Sequence, residues 1–169
     1  MSGGGETGAP VGDEDRAGLF VEEPSGHWIW ADGYLRDGHG DIIAMMSAGV
    51  IHTEDDNILI ERSAPGLRFR CRATLSGGEV YTVVQQGLTV RRLTAYCAGT
   101  HYTLRRRSLF GVDRDIIGPG GVIASTHPDL RGALEVHDGP RHTDLTMFEG
   151  IVLSWACVLV DAVEHNLRV

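Results

Sequence analysis

Apolar residues occur in short runs in which they alternate with polar ones, and each run stops at a turn residue. In the clearest run, Leu67–Leu75, every odd-numbered residue is apolar, whereas the even-numbered residues are three arginines and a threonine. A period of two is typical of a β-strand with one face in the core and the other in water. The sequence therefore predicts a half-buried strand over these nine residues.

Similar runs recur every 7–12 residues from His27 onward, separated by turns rich in glycine, proline, asparagine and aspartate. The predicted strands are Trp28–Trp30, Gly33–Arg36, Asp41–Met46, Val50–Thr53, Ile58–Arg62, Leu67–Leu75, Val80–Gln85, Leu88–Ala95, Thr100–Arg106, Asp115–Ile117, Val122–Thr126 and Arg131–His137. Tight turns join antiparallel strands but cannot connect parallel neighbours. The pattern predicts antiparallel β-structure, closed or sandwiched, and excludes doubly wound and TIM-barrel folds.

The last segment follows a different pattern. From Ile151 to Val160 the chain is apolar on every side of a helix, with only Ser154 interrupting, and Thr146 with Glu149 forms a predicted capping box. A surface helix would carry a polar face, and the uncharged run is too short for the ~20 residues that a bilayer span requires. We therefore expect helix 144–166 to be buried inside a closed antiparallel β-barrel of about 12 short strands.

Residues 1–23 contain six acidic residues against the single Arg16, with many glycines. Such a segment buries too little apolar area to offset the entropy of ordering. It is predicted to be a disordered acidic tail, followed by one β-barrel domain over residues 24–169. The opening residues lack the basic and apolar regions of a signal peptide, and the three cysteines form no CxxC pair. These features predict a cytoplasmic protein with reduced thiols.

Three stretches resemble motifs of the tubby C-terminal-like superfamily, which includes tubby proteins, phospholipid scramblases, LURP-one-related proteins and small bacterial members. They are Gly121–Ser125 (GVIAS), Leu134–His137 (LEVH) and Gly150–Ala162 (GIVLSWACVLVDA). They are similar to the family's closing strand, its penultimate strand and its apolar helix ending in aspartate. The resemblance implies a β-barrel threaded by its last helix. It also implies a relation to membrane lipids, since tubby proteins bind phosphoinositides and scramblases have lipid-related roles.

The strongest chemical signal is charge. The whole chain carries −8, yet ten arginines lie between Arg62 and Arg114 and only Glu79 and Asp113 oppose them. Guanidinium groups donate paired hydrogen bonds to phosphate oxygens, so an arginine-rich sheet face predicts a site for anionic phospholipid or another phosphate ligand if the strands that carry it are neighbours. The predicted site residues are Arg68, Arg70, Arg72, Arg91, Arg92, Arg105 and Arg107. The alternative is a solvated face, neutralised by the protein's own acidic tail.

Other chemistry has weaker support. Glu135, His137, Asp138, His142 and Asp144 lie within ten residues, but their spacing matches no known metal motif, so no metal or cofactor is predicted. No catalytic residue is predicted: there is no GxSxG sequence, and Cys71 and Cys157 lie in apolar runs where thiols are inert. Cys97 is expected near a turn, where its thiol would be more exposed.

The favoured function is a non-catalytic binding module, either purely cytoplasmic or peripheral at a membrane. Two alternatives stay open. One is a small-molecule-binding or enzymatic barrel with a cavity beside the helix, and the other is a protein-interaction module that uses the acidic tail and the basic face. The overall negative charge disfavours nucleic acid as a partner. The sequence leaves the oligomeric state undetermined.

Overall fold

Twelve strands, each joined to the next by a turn or loop, make up nearly half of the computed structural model, which describes residues 26–162. The strands are His27–Ala31 (β1), Tyr34–Arg36 (β2), Ile42–Ser47 (β3), Val50–His52 (β4), Asn57–Arg62 (β5), Arg70–Leu75 (β6), Val80–Gln85 (β7), Arg92–Cys97 (β8), Thr100–Arg106 (β9), Arg114–Gly118 (β10), Gly121–Pro128 (β11) and Leu134–Asp138 (β12). Each strand pairs antiparallel with its chain neighbours, and β1 also pairs with β12, so the sheet closes into a barrel. The predicted fold class is confirmed, while the predicted tail lies outside the described residues.

Strand β8 begins at Arg92, four residues later than the apolar pattern predicts. Gly87 has a positive φ of 77°, which turns the chain away from the sheet. The Gln86 amide donates to the Arg92 carbonyl at 2.9 Å, and this bond closes the loop between them. The predicted strand residue Leu88 is therefore a fully exposed loop residue.

Strand β6 also begins late, at Arg70 instead of Leu67. The Ser63 amide donates to the Arg70 carbonyl at 2.8 Å, and the Arg70 amide donates to the Ser63 hydroxyl at 2.9 Å. These two bonds close a loop over residues 64–69. The alternation predicted for β6 holds from Phe69 to Leu75, but Leu67 is exposed rather than part of the core.

The C-terminal helix, α1, spans Met147–Asp161 and is shorter than the predicted segment 144–166. The capping box is confirmed: the Glu149 amide donates to Thr146 Oγ1, and the Thr146 amide donates to the Glu149 carboxylate. The predicted start, Asp144, belongs instead to a 3-10 turn, His142–Asp144, and pairs with Arg141. The backbone is already extended at Ala162, and residues 163–166 lie outside the described residues.

Helix α1 occupies the interior of the barrel. Ile151, Val152 and Leu153 point in three directions around the helix axis, yet all three are buried. Trp30 of β1 donates its indole N–H to Ser154 Oγ at 2.9 Å, and Tyr102 of β9 donates its hydroxyl to the Glu149 carboxylate at 3.0 Å. Contacts from strands that are four positions apart in the ring, and the burial of all sides of the helix, show that it lies inside, as the sequence predicts.

Because consecutive hairpins alternate between the two ends of the barrel, the connections 63–69, 86–91, 107–113 and 129–133 all emerge at one end. We call this end, defined by these four loops, the long-loop end. Arg106 closes β9 and Arg114 opens β10 there, and both contact Asp161 at the C-terminus of α1. The helix therefore runs through the barrel toward the long-loop end.

Candidate functional site at the long-loop end

The predicted arginines do not form one continuous face. Strand β6, with Arg70 and Arg72, is separated from β9, with Arg105, by β7 and β8. Adjacent strands lie about 4.8 Å apart, so these two arginine strands are roughly 14 Å apart. The predicted phosphate site required the arginine-bearing strands to be neighbours, and β6 and β9 are not.

The first group is a cross-strand pair on the outer face. Arg92 of β8 and Arg105 of β9 are direct partners in the antiparallel register, and both side chains are exposed. Like charges opposite each other are destabilising. Within residues 26–162 neither arginine forms an ion pair. Asp115, the neighbour of Arg105 on β10, accepts instead from Arg107 at 2.7 Å.

The second group lines a groove. An open pocket of about 580 Å³ is bounded by Ser63, Leu67, Arg68, Phe69, Arg70, Val84 and Gln85. Arg68 and Arg70 bring two guanidinium groups to this groove, and Leu67 and Val84 form part of its apolar wall. Arg68 also donates to the Gly87 carbonyl at 3.1 Å, which links this groove to the loop preceding β8. The groove and the cross-strand pair therefore lie at the same end of the barrel.

Two of the predicted residues have separate positions. Arg72 lies farther along β6, opposite Glu61 of β5, and does not line the groove. Arg91 is partly buried in the loop 86–91, where its guanidinium is 3.5 Å from the Ser108 carbonyl and joins two long loops. The structure therefore brings Arg68 together with Arg70, and Arg92 together with Arg105. Arg72, Arg91 and Arg107 belong to neither of these pairs.

Two arginines of the basic stretch point inward. Arg114 is fully buried and donates to both carboxylate oxygens of Asp161, at 2.7 and 2.8 Å. Arg106 donates to the same carboxylate at 2.9 Å. Asp161 lies 47 residues beyond Arg114, so the sequence gives no local sign of this contact. Arg114 therefore belongs to the barrel interior, and Arg106 is partly buried beside it.

Exposed apolar side chains mark the tips of the long loops. Leu88 is 100% exposed, Phe110 is 99% exposed and Leu130 is 90% exposed. They come from three consecutive long loops, and Leu67 and Leu109 add further exposed apolar surface at the same end. Sequence reasoning missed this feature, although the available signal was a set of large apolar residues next to predicted turns.

The acidic and histidine cluster of the sequence is dispersed. His142 is buried in the 3-10 turn, Asp144 pairs with Arg141, and the Asp138 amide donates to the Gly26 carbonyl. Glu135 and His137 stay together on the outer face of β12, whereas Asp138 and His142 line a separate open pocket of about 290 Å³. The five residues therefore do not form a single site.

The three cysteines are all buried, which corrects the expectation that Cys97 is exposed. Cys97 ends β8 with its side chain in the core, although a turn follows at once. Burial raises the pKa of the Cys71 thiol to about 11 and that of the Cys97 and Cys157 thiols to about 12. Thiols in this state are protonated near neutral pH and make poor nucleophiles.

Comparisons with protein-family models, curated proteins and solved structures find no match to this chain. Over residues 26–162, no helix has both the length and the apolar character needed to cross a membrane. What the protein does must therefore be inferred from the geometry of the long-loop end.

Proposed function

We propose that the protein is a non-catalytic module that binds anionic phospholipid through its long-loop end. The observation that carries the proposal is the combination of Arg92 and Arg105, without ion pairs among residues 26–162, with exposed apolar loop tips at the same end of the barrel. Phosphate groups would relieve the repulsion between the two guanidinium groups by accepting hydrogen bonds from both.

The apolar tips favour a lipid surface over free phosphate. Leu88, Phe110 and Leu130 protrude from consecutive loops and are exposed to water. Burial of apolar surface contributes about 25 cal/mol per Å², and an arginine near an anionic membrane contributes about 1 kcal/mol. A bilayer interface provides an apolar environment and phosphate groups together, whereas a soluble phosphate provides only the second.

The position of the helix disfavours a ligand inside the barrel. Trp30, Tyr102 and Arg114 all bond to α1 from the wall, so side chains of the helix fill the interior. The 580 Å³ groove is lined by strand and loop residues and by none from the helix. The twelve-stranded barrel around a C-terminal helix also supports membership of the tubby-like superfamily, which we propose on this layout.

Co-sedimentation with vesicles tests the function. We expect the full chain to bind phosphatidylcholine vesicles that contain phosphatidylserine, and to bind pure phosphatidylcholine weakly. Binding should fall between about 0.01 M and about 0.15 M salt, because the screening length shortens from about 30 Å to about 8 Å. Arg92→Gln with Arg105→Gln should lower the affinity by about 30-fold, at about 1 kcal/mol for each arginine.

The matched control removes the same charge at the other end of the barrel. Arg36 lies before the turn 37–41 and Arg141 before α1, so Arg36→Gln with Arg141→Gln should leave binding unchanged. Leu88→Ser with Phe110→Ser separates the two ligand sources: it should abolish vesicle binding, whereas a free-phosphate site would be unaffected. Equal binding by all three double variants would refute the proposal.

A further inference from the structure

Three side chains capable of binding a metal ion converge where the first and last strands of the barrel pair. His27 of β1 and His137 of β12 are direct partners in the register, and Glu135 lies two residues before His137 on the same outer face. One ligand atom from each residue lies within 4.8 Å of those of the other two. The Glu135 carboxylate is 3.2 Å from His137 Nε2 and 3.9 Å from His27 Nε2.

The sheet register holds these groups in place. The His27 and His137 rings stack with their centroids 4.4 Å apart, so both imidazoles present an edge to the same carboxylate. His27 Nε2 is buried and has no hydrogen-bond partner. Buried polar atoms in folded proteins nearly always have a partner. An unsatisfied ligand atom beside a second imidazole and a carboxylate indicates that the cluster binds something more.

A third histidine supports the cluster from β11. His127 lies opposite Glu135, and its ring meets the His137 ring edge-on at 5.1 Å. Both of its nitrogens have contacts: Nδ1 is 3.2 Å from the Asp113 carboxylate, and Nε2 is 3.1 Å from Ser125 Oγ. His127 therefore positions the His137 ring and is not itself counted as a ligand.

We propose that His27, Glu135 and His137 form a binding site for a divalent transition-metal ion of the zinc type. Two imidazole nitrogens and one carboxylate oxygen are a ligand set that zinc uses. Calcium and magnesium prefer sites built of oxygen alone. Three protein ligands leave a fourth position for water or an exchangeable anion. The site lies on the side wall, and its existence does not depend on lipid binding at the long-loop end.

The ion would also join the two strands that close the barrel. His27 belongs to the first strand and Glu135 and His137 to the last, so the site is complete only when β1 and β12 are paired. A ligand that binds only the folded state stabilises it. At a free zinc concentration about 100 times the dissociation constant, the melting temperature of a chain this size should rise by about 5–10 °C.

The test is calorimetric titration of the full chain with Zn²⁺, together with thermal unfolding with and without the ion. We expect one equivalent to bind and the melting temperature to rise. Co²⁺ in place of Zn²⁺ should give the visible absorption bands of a four-coordinate ion. His137→Ala and Glu135→Gln should each lower the affinity at least about tenfold, since even outer-shell changes cost that much.

His52→Ala is the matched control, since His52 lies on β4 and its ring hydrogen-bonds to the Asn57 side chain. This variant should bind Zn²⁺ as the unaltered chain does. His27→Gln gives a second test if His137→Ala fails to fold, because the outer face of β1 tolerates a polar side chain. The proposal is overturned if the unaltered chain fails to bind Zn²⁺, or if the His27 and Glu135 variants bind it with unchanged affinity.

Discussion

The run Arg105–Arg107 places identical side chains in two different environments at the same end of the barrel. Arg105 faces outward, opposite Arg92, with no ion pair inside residues 26–162. Arg106, the next residue, faces inward and donates to Asp161 together with the buried Arg114. The two inner arginines share the single carboxylate of Asp161, while the outer pair has no ion-pair partner among residues 26–162.

Strand parity, rather than composition, separates the arginines that bond to the helix from those that are exposed on the outer face. Successive residues of a strand point to opposite faces, so a shift of one residue exchanges core and surface. The buried carboxylate of Asp161 makes the inner pair part of the fold. The outer pair has no equivalent acidic partner among residues 26–162, so both of its guanidinium groups stay exposed to solvent.

The largest expected effect comes from a charge placed on the buried face of the helix. Leu153→Asp puts an unpaired carboxylate where the exposed fraction is 0%. The cost is several kcal/mol, which is enough to unfold a marginally stable domain. Circular dichroism should show loss of the native fold. Leu88→Asp, at a fully exposed loop tip, should melt within about 2 °C of the unaltered chain, and a folded Leu153→Asp protein would contradict a buried helix.

The next prediction compares the buried Arg114–Asp161 ion pair with the exposed Arg107–Asp115 ion pair. Asp161→Ala leaves Arg114 buried without a counter-charge, which costs about 3–5 kcal/mol and lowers the melting temperature by about 6–20 °C. Asp115→Ala removes the partner of Arg107, whose side chain is 46% exposed. That exposed pair contributes less than about 1 kcal/mol. Similar shifts for the two variants in differential scanning calorimetry would show that the inner pair is not structural.

The smallest effect concerns the thiols of the core. Because burial raises the pKa of Cys71 to about 11 and those of Cys97 and Cys157 to about 12, all three stay protonated at pH 8. A colourimetric disulfide reagent should label the native chain very slowly, and should label three thiols after denaturation. Prompt labelling of one thiol in the native protein would place that cysteine at the surface.

Most of the barrel could be predicted from the sequence, because each strand buries one face and the turns are rich in glycine, proline, asparagine and aspartate. Strand alternation and the capping box depend on contacts a few residues apart, so they are visible locally. The predicted starts of β6 and β8 were wrong because Leu67 and Leu88 continue the apolar pattern of each strand. Hydrogen bonds from the Ser63 and Gln86 amides close the loops before Arg70 and Arg92, where the strands begin. Apolar character alone does not reveal where a ladder stops.

The candidate sites were less predictable. Sequence reasoning identified Arg92 and Arg105 but could not pair them, because the register between β8 and β9 is a tertiary property. It also dismissed the histidines near residue 137, since the third ligand, His27, lies 110 residues away in sequence and meets His137 only when the barrel closes. The spacing of residues along the sequence does not reveal such contacts.

The most direct test of the central claim compares Arg105→Gln with Arg106→Gln in two measurements, vesicle binding and thermal unfolding. We predict opposite outcomes for these adjacent residues. Arg105→Gln should weaken binding to phosphatidylserine vesicles by about fivefold, at about 1 kcal/mol, and leave the melting temperature nearly unchanged. Arg106→Gln should lower the melting temperature, because one of the two donors to Asp161 is lost, and keep vesicle binding. Equal effects of the two variants in both measurements would contradict the claim.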